Sequence, residues 1–468
     1  MQNLILNDKD DIADLLQRTR DEAVQFLEGL STHPVNHRRQ LPAPVGLSPS
    51  GLGARQALEV FKETYIPAMT GSAGPRYLGF VTGGSTPAAL MGDWLTGVFD
   101  QNAADTSSAA AAQIETSAIS MLRELFGLPE AFDGRFVTGA TMSNFVGLAI
   151  GRQWWGHRLG VNVAQQGLAG LPPLTVLSGS PHACIHKSIS MLGLGRQNLQ
   201  QVTTLPNREA VDVDALRQAI QRLNEQPCIV VANAGVVNTV DFDEITAIVA
   251  LKRDFNFYLH VDAAFGGFAA CSPRYQQLVS GWEQADSIAV DAHKWLNVPY
   301  DSAVQFSRHT ELQAEVFQNV GAAYLGEPNT TDSFHLTPEN SRRLRALPAW
   351  FSLVAYGKEG FREIVETCCD CAAQLGKRIE ASTEFRLLAP VRMNVVPFTF
   401  HQPSASSAQV AAFLNRLGEN GKTFITATTY NKTPGFRAAF SNWRTTREDV
   451  DIIWQAALDA VSEQIRPR

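Results

Sequence analysis

Apolar positions recur at three- and four-residue steps through the first thirty residues: Ile12, Leu15 and Leu16, then Ala23, Val24, Leu27 and Leu30. That spacing puts them on one face of a helix. The next stretch, STHPVNHRRQLPAPVGLSPSGLG, is rich in Pro, Ser and Gly and predicts an extended arm of the kind that wraps a partner subunit or domain. From about residue 76 the texture changes, and short, almost wholly apolar runs alternate with helical stretches. FVTG precedes SNFVGLAIGRQWW, LTVLSG precedes HACIHKSISMLGL, CIVVANAG precedes FDEITAIVALKRD, and FYLHVDAA and SIAVDA continue the series. Alternation of this kind predicts an α/β unit, a parallel sheet covered by helices on both faces. Strands without polar alternation fit such a sheet, because both of its faces are buried.

After residue 345 the pattern shifts to a long helical stretch, LRALPAWFSLVAYGKEGFREIVETCCDCAAQL. EFRLLAP, MNVVPFTFH and FRAAFSNW then resemble antiparallel strands, and DVDIIWQAALDAVSEQI closes as a helix. This predicts a smaller α+β domain. The expected division is residues 1–75 as a helical arm and dimer segment, 76–345 as the large ligand-binding domain and 346–468 as the small domain. A chain of 468 residues suits that count at roughly 100–200 residues per domain.

Composition narrows the function classes. With 45% apolar and 18% charged residues the chain is not disordered. Its 39 Lys plus Arg against 46 Asp plus Glu give a net charge of -7, and no basic block stands out. Neither nucleic acid nor an anionic membrane surface is an expected partner. No apolar run reaches the ~20 residues of a membrane helix. The start, MQNLILNDKDDIADLL, has no secretory pattern, so a cytoplasmic protein is expected. Six cysteines are too sparse for a disulfide scaffold. In CCDC, helical spacing puts Cys368 and Cys371 on one face with Cys369 turned away, which predicts core packing and no metal site.

The candidate chemistry lies in loops that follow strands, the edge where open α/β sheets bind ligands. In VTGATMSNFVG, Gly139 permits a tight turn, Thr141 and Ser143 bring hydroxyls, and the next helix starts there. A phosphate cradle fits, and so does a plain helix cap. His182 follows a strand in GSPHACIHKS. Asp262 ends the apolar strand of HVDAAFGGF, where an unpaired carboxylate is costly, so a cation from the protein or a ligand is expected beside it. Gly266 and Gly267 let the backbone come close to a neighbour there. Lys294, in SIAVDAHKWLNVPYD, also ends an apolar run, and a desolvated lysine becomes a nucleophilic amine. Phosphate cradle, aromatic neighbour, buried carboxylate and buried lysine, in that order, are the parts that a pyridoxal 5'-phosphate site needs.

HVDAAFGG followed by DAHKWLNVPYD resembles the group II pyridoxal-phosphate-dependent amino-acid decarboxylases, the family of the aromatic-amino-acid and glutamate decarboxylases. The resemblance extends from about residue 70 to the C-terminus through RYLGFVTGGSTPAAL, GVVNTVDFDE and SNWRTTREDVD. It implies the aspartate-aminotransferase fold, with a seven-stranded, mostly parallel sheet, a small C-terminal domain and an active site at a homodimer interface. It also implies that Lys294 is the Schiff-base lysine, His293 the cofactor contact before it, Asp262 the partner of the pyridine nitrogen, Ala264 the small residue against the ring and His182 the stacked histidine. Thr141, Met142 (through its backbone) and Ser143 match the phosphate loop, Asp291 a polar residue on the phosphate side, and Thr82 a substrate-proximal threonine.

Two departures bear on activity. Val237 replaces a threonine that relatives place near the ring hydroxyl, leaving Asn238 or Thr239 as substitutes. Ser333 stands where aromatic decarboxylases carry the loop tyrosine that protonates the product carbon, and Tyr324 lies upstream. The expected reaction is decarboxylation of an L-amino acid to its amine. An aldehyde synthase or an aminotransferase is the alternative on this scaffold, with Arg437 available to a substrate carboxylate.

Overall fold

In strand Cys228–Asn233, Ile229 and Val231 enter one hydrophobic cluster while Cys228, Val230 and Ala232 enter another. That period-two division is the signature of a strand covered on both faces. The computed structural model describes residues 4–36, 43, 45–103, 109–402 and 405–465. The predicted arm therefore falls partly outside the described residues, at 37–42 and 44.

Seven strands form the large sheet: β1 (Asp133–Val137), β2 (Val176–Ser178), β3 (Leu199–Gln201), β4 (Cys228–Asn233), β5 (Phe257–Asp262), β6 (Ser287–Val290) and β7 (Ala303–Ser307). Their order is β1-β7-β6-β5-β4-β2-β3, and β7 alone runs antiparallel to its neighbours. The expected mostly parallel seven-stranded sheet is present. Helix Ala140–Arg158 packs across it and is buried almost all round, from Ser143 and Asn144 to Trp154 and Trp155. Gly147 allows the close approach, since a Cβ there would lie 2.6 Å from the His260 ring.

The smaller sheet is antiparallel, with β8 (Phe385–Leu387), β9 (Val395–Phe400), β10 (Thr426–Tyr430) and β11 (Thr433–Ala439) in the order β10-β11-β9-β8. Its aromatic core gathers Phe385, Phe398, Phe400, Phe413 and Phe436. The long helix Ala346–Glu380 breaks at Gly357, which has φ 56. It buries Cys369 as well as Cys368 and Cys371, so the outward turn expected of Cys369 is not found. RYLGFVTGG forms no strand of either sheet. It runs as a loop between them, with the Leu78 N–H donating to the Phe424 carbonyl and the Ala439 N–H to that of Leu78.

Candidate active site

The carboxyl ends of β1, β2, β5 and β6 open onto one cleft, and each delivers a residue singled out by sequence. On β5 the side chains of Tyr258, His260 and Asp262 share one face by alternation, the face covered by helix Ala140–Arg158. Asp262 is 6% exposed. One of its oxygens accepts from the Asn144 amide at 3.2 Å and lies 3.8 Å from the Cys184 sulfur, and the other accepts from the Ala264 N–H at 3.3 Å. No cationic side chain pairs with Asp262 among the described residues, which leaves its carboxylate open to a cationic ligand.

Lys294 sits one turn after Asp291 in a short helix, Ala292–Trp295, that follows β6. Its ammonium is 3.1 Å from Asp291 Oδ2 and 5.7 Å from the centre of the Phe265 ring. The other Asp291 oxygen accepts from the Ala140 N–H at 2.9 Å and lies 3.1 Å from His293 Nδ1. Burial lowers the basicity of His293 despite that carboxylate. Asp291 thus ties the lysine to the start of helix Ala140–Arg158.

At that helix start the Ser143 N–H goes to the Gly139 carbonyl, and the Ser143 hydroxyl donates to the Val304 carbonyl at 2.9 Å. The N–H groups of Thr141 and Met142 have no acceptor among the described residues, as a phosphate cradle requires. The Thr141 carbonyl accepts from Ser188.

His182 caps helix Ala183–Met191, its Nδ1 accepting from the Cys184 N–H at 3.3 Å, with the Cys184 sulfur 2.9 Å away. Both contacts favour a proton on Nε2, the nitrogen turned from the cap. Protein packed against one side of the ring lowers its basicity, with Asp262 opposing and Lys294 and Arg437 adding to the shift. Burial drives the Cys184 thiol far above its usual range, so it is a neutral hydrogen-bonding group.

Beside these groups lies a cavity of about 490 Å³ lined by Tyr77, Phe80, Thr82, His293, Val298 and Tyr300, among others. Gly83 is pressed against the Lys294 backbone, where a Cβ would meet its carbonyl oxygen. The Thr82 hydroxyl is buried beside the Tyr300 phenol. The Tyr300 ring stacks on His293 with centroids 4.4 Å apart.

Other sequence candidates are placed elsewhere. Asn238 and Thr239 both bond Glu209, at 2.8 and 2.6 Å, so neither is free to replace the threonine absent at Val237. Arg437 is buried, donates to the Val237 carbonyl at 2.7 Å and is pushed down to about 10 by burial. Ser333 is buried in a short 3-10 turn, Ser333–His335, and lines a different cavity with Glu115 and Arg135. Tyr324 is 85% exposed. Sequence reasoning missed Asn144, His260, Cys184 and Tyr300. The one available signal was two polar residues, His260 and Asn144, inside otherwise apolar elements.

The residues fit pyridoxal phosphate on the structure's own terms: a buried carboxylate without a cation, helix N–H groups without acceptors, and a lysine between them. Comparison with known proteins agrees. Residues 37–401 match the pyridoxal-dependent decarboxylase conserved domain. The aromatic-L-amino-acid decarboxylase of Bacillus atrophaeus is 24% identical over 86% of this chain and 84% of its own. The 4-hydroxyphenylacetaldehyde synthase of Rhodiola rosea is 24% identical over 93% and 92%. The structure of Catharanthus roseus tryptophan decarboxylase with L-tryptophan superposes with a TM-score of 0.85 at 19% identity, covering 97% of this chain and 99% of that one. The chain belongs to the pyridoxal-dependent decarboxylase family.

Proposed function

We propose that the chain converts an L-amino acid to the corresponding amine and carbon dioxide. The observation that carries this reading is Asp262, a buried carboxylate at a strand end with no protein cation beside it. When bound there, pyridoxal phosphate supplies an electron sink for the pair left behind as carbon dioxide departs. Asp262 holds the ring nitrogen protonated. Lys294 would supply the amine that holds the cofactor. Thr141 and Met142 hold the phosphate through their N–H groups, with the Ser143 segment shaping the turn and Ala264 packed at the ring. His182 presents Nε2–H to the cleft, and Asp291 and His293 orient the lysine. Thr82 is close to the substrate.

Tyr77, Phe80, Val298 and Tyr300 give the neighbouring cavity an apolar and aromatic wall, which supports an aromatic side chain on the substrate. The decarboxylase and the aldehyde synthase among the relatives carry aromatic substrates or products in their names.

A second reading, aldehyde formation, is favoured by one observation. Ser333 is a serine, buried in its own chain's turn, so the loop brings no tyrosine to the product carbon from that position. Incubation with a mixed amino-acid pool, with amine, aldehyde, oxygen uptake and peroxide measured together, decides between them. Amine without oxygen use supports decarboxylation. Aldehyde and peroxide in step with carbon dioxide replace it with the second reading.

The working form is proposed to be a homodimer. Ile5, Leu16, Leu52, Phe61, Met91 and Trp94 are large apolar side chains left exposed, surface that a second copy of the chain would cover. Residues 1–75 are accordingly assigned to the dimer, 76–345 to cofactor binding and 346–468 to the small domain. Six unpaired cysteines suit the reducing cytoplasm.

A further inference from the structure

Behind Asp262 runs a line of polar side chains that the reaction itself does not call for. Ser287 on β6, His260 on β5 and Asn144 on helix Ala140–Arg158 are all 0% exposed. Ser287 Oγ lies 2.7 Å from His260 Nδ1, His260 Nε2 lies 2.7 Å from Asn144 Oδ1, and Asn144 Nδ2 lies 3.2 Å from Asp262 Oδ2.

The direction of every bond follows from the end that has no choice. An ionised carboxylate only accepts, so the Asn144 amide must turn its NH2 toward Asp262. Its oxygen then faces His260, and that oxygen also only accepts, so the proton of the neutral imidazole sits on Nε2. Nδ1 is left as an acceptor, and the Ser287 hydroxyl must donate to it. Burial pushes His260 down to about 4, so the ring is neutral and this arrangement holds across the physiological range. Every proton points toward Asp262.

We propose that Ser287, His260 and Asn144 form a one-way hydrogen-bond chain that positions the Asp262 carboxylate and keeps it charged for the cofactor's ring nitrogen. The proposal rests on the functional reading above, and these three are positioning residues, since none touches the substrate. Buried polar networks are stabilising only when every member is satisfied, and this one is satisfied in a single sense. Gly147 shows that the backbone makes room for it: a Cβ there would meet His260 Cε1 at 2.6 Å and Nδ1 at 2.7 Å. His182 and Cys184 both interact electrostatically with Asp262 and with Lys294 and Asp291, and His182 also with Arg437; the variants below leave all five in place.

The test uses the full chain reconstituted with pyridoxal phosphate labelled with nitrogen-15 in the ring. Nitrogen chemical shift is followed against pH, and cofactor loss is followed during dialysis. In Asn144→Leu and His260→Leu the ring nitrogen is expected to release its proton with an acid constant about tenfold larger than in the wild type, with cofactor lost about tenfold faster. His260→Gln, which restores a donor toward Asn144, should recover part of both. Ser287→Ala removes only the outer link and should fold normally, with a shift of about two- to threefold in the same direction. A wild type holding the cofactor with a protonated nitrogen, beside a folded Ser287→Ala or Asn144→Leu that titrates and retains cofactor as the wild type does, overturns the chain alone. A wild type that binds no cofactor overturns the functional reading and the proposal with it.

Discussion

The ammonium of Lys294 rests 3.1 Å from a carboxylate oxygen of Asp291, three residues earlier in the chain, and not against Asp262. The buried carboxylate and the buried lysine are therefore separate devices. Asp291 satisfies the lysine and fastens it to the Ala140 N–H, while Asp262 keeps its carboxylate for a cation that the protein does not supply. A chain that had lost its cofactor would have no use for the second arrangement.

Asp291→Ala leaves the lysine charge and the Ala140 N–H without their acceptor in a site that is mostly buried. Breaking a buried ion pair from one side costs about 3–5 kcal/mol. Thermal unfolding of the apoprotein should show a clear loss of stability, and an unchanged midpoint would remove Asp291 from this role.

Asp262→Asn should fold and turn over poorly. At an effective dielectric near 20, a carboxylate ~4 Å from a ring cation is worth on the order of 4 kcal/mol, or roughly 10³ in rate if the charge acts fully in the transition state. Carbon dioxide release under saturating amino acid is the measurement. Turnover within a few-fold of wild type would mean that the charge is not used.

His260 gives stability a pH dependence of known sign. Its folded-state value is held at about 4, below the 6.5 of a free imidazole, because burial disfavours the charged ring. The contribution is complete above 6.5 and is lost as pH falls from 6.5 toward 4, because the unfolded chain takes up the proton first. The loss by pH 4 is of order 3 kcal/mol. Denaturant unfolding between pH 7 and 4 should show it in the wild type, and His260→Gln should lack that portion of the slope.

Trp94→Glu puts a charge into the apolar face proposed for the dimer. Light scattering should report a dimer for the wild type and a shift toward monomer for the variant, while a wild type that stays monomeric at micromolar concentration contradicts the assignment.

Asp262 is legible in sequence because it ends an apolar strand, and His182 and Lys294 because each closely follows one in a short local motif. The mostly parallel sheet is legible from strand–helix alternation for the same reason. β3 and β10 are not, since LQQ and TATTY carry few apolar residues and owe their strand form to neighbours. His260 and Asn144 are 116 residues apart, and their bond depends on helix Ala140–Arg158 crossing β5 at Gly147. Ser143 has a contact that local sequence does not show: its hydroxyl donates to the Val304 carbonyl, 161 residues away. Tyr300, which no local pattern singles out, lines the cavity with its ring against that of His293.

The most direct test of the central claim is borohydride reduction of the reconstituted protein followed by peptide mapping. The account predicts a yellow protein in which phosphopyridoxyl is fixed on Lys294. Label on another lysine, or cofactor bound with no label on any lysine, would contradict it.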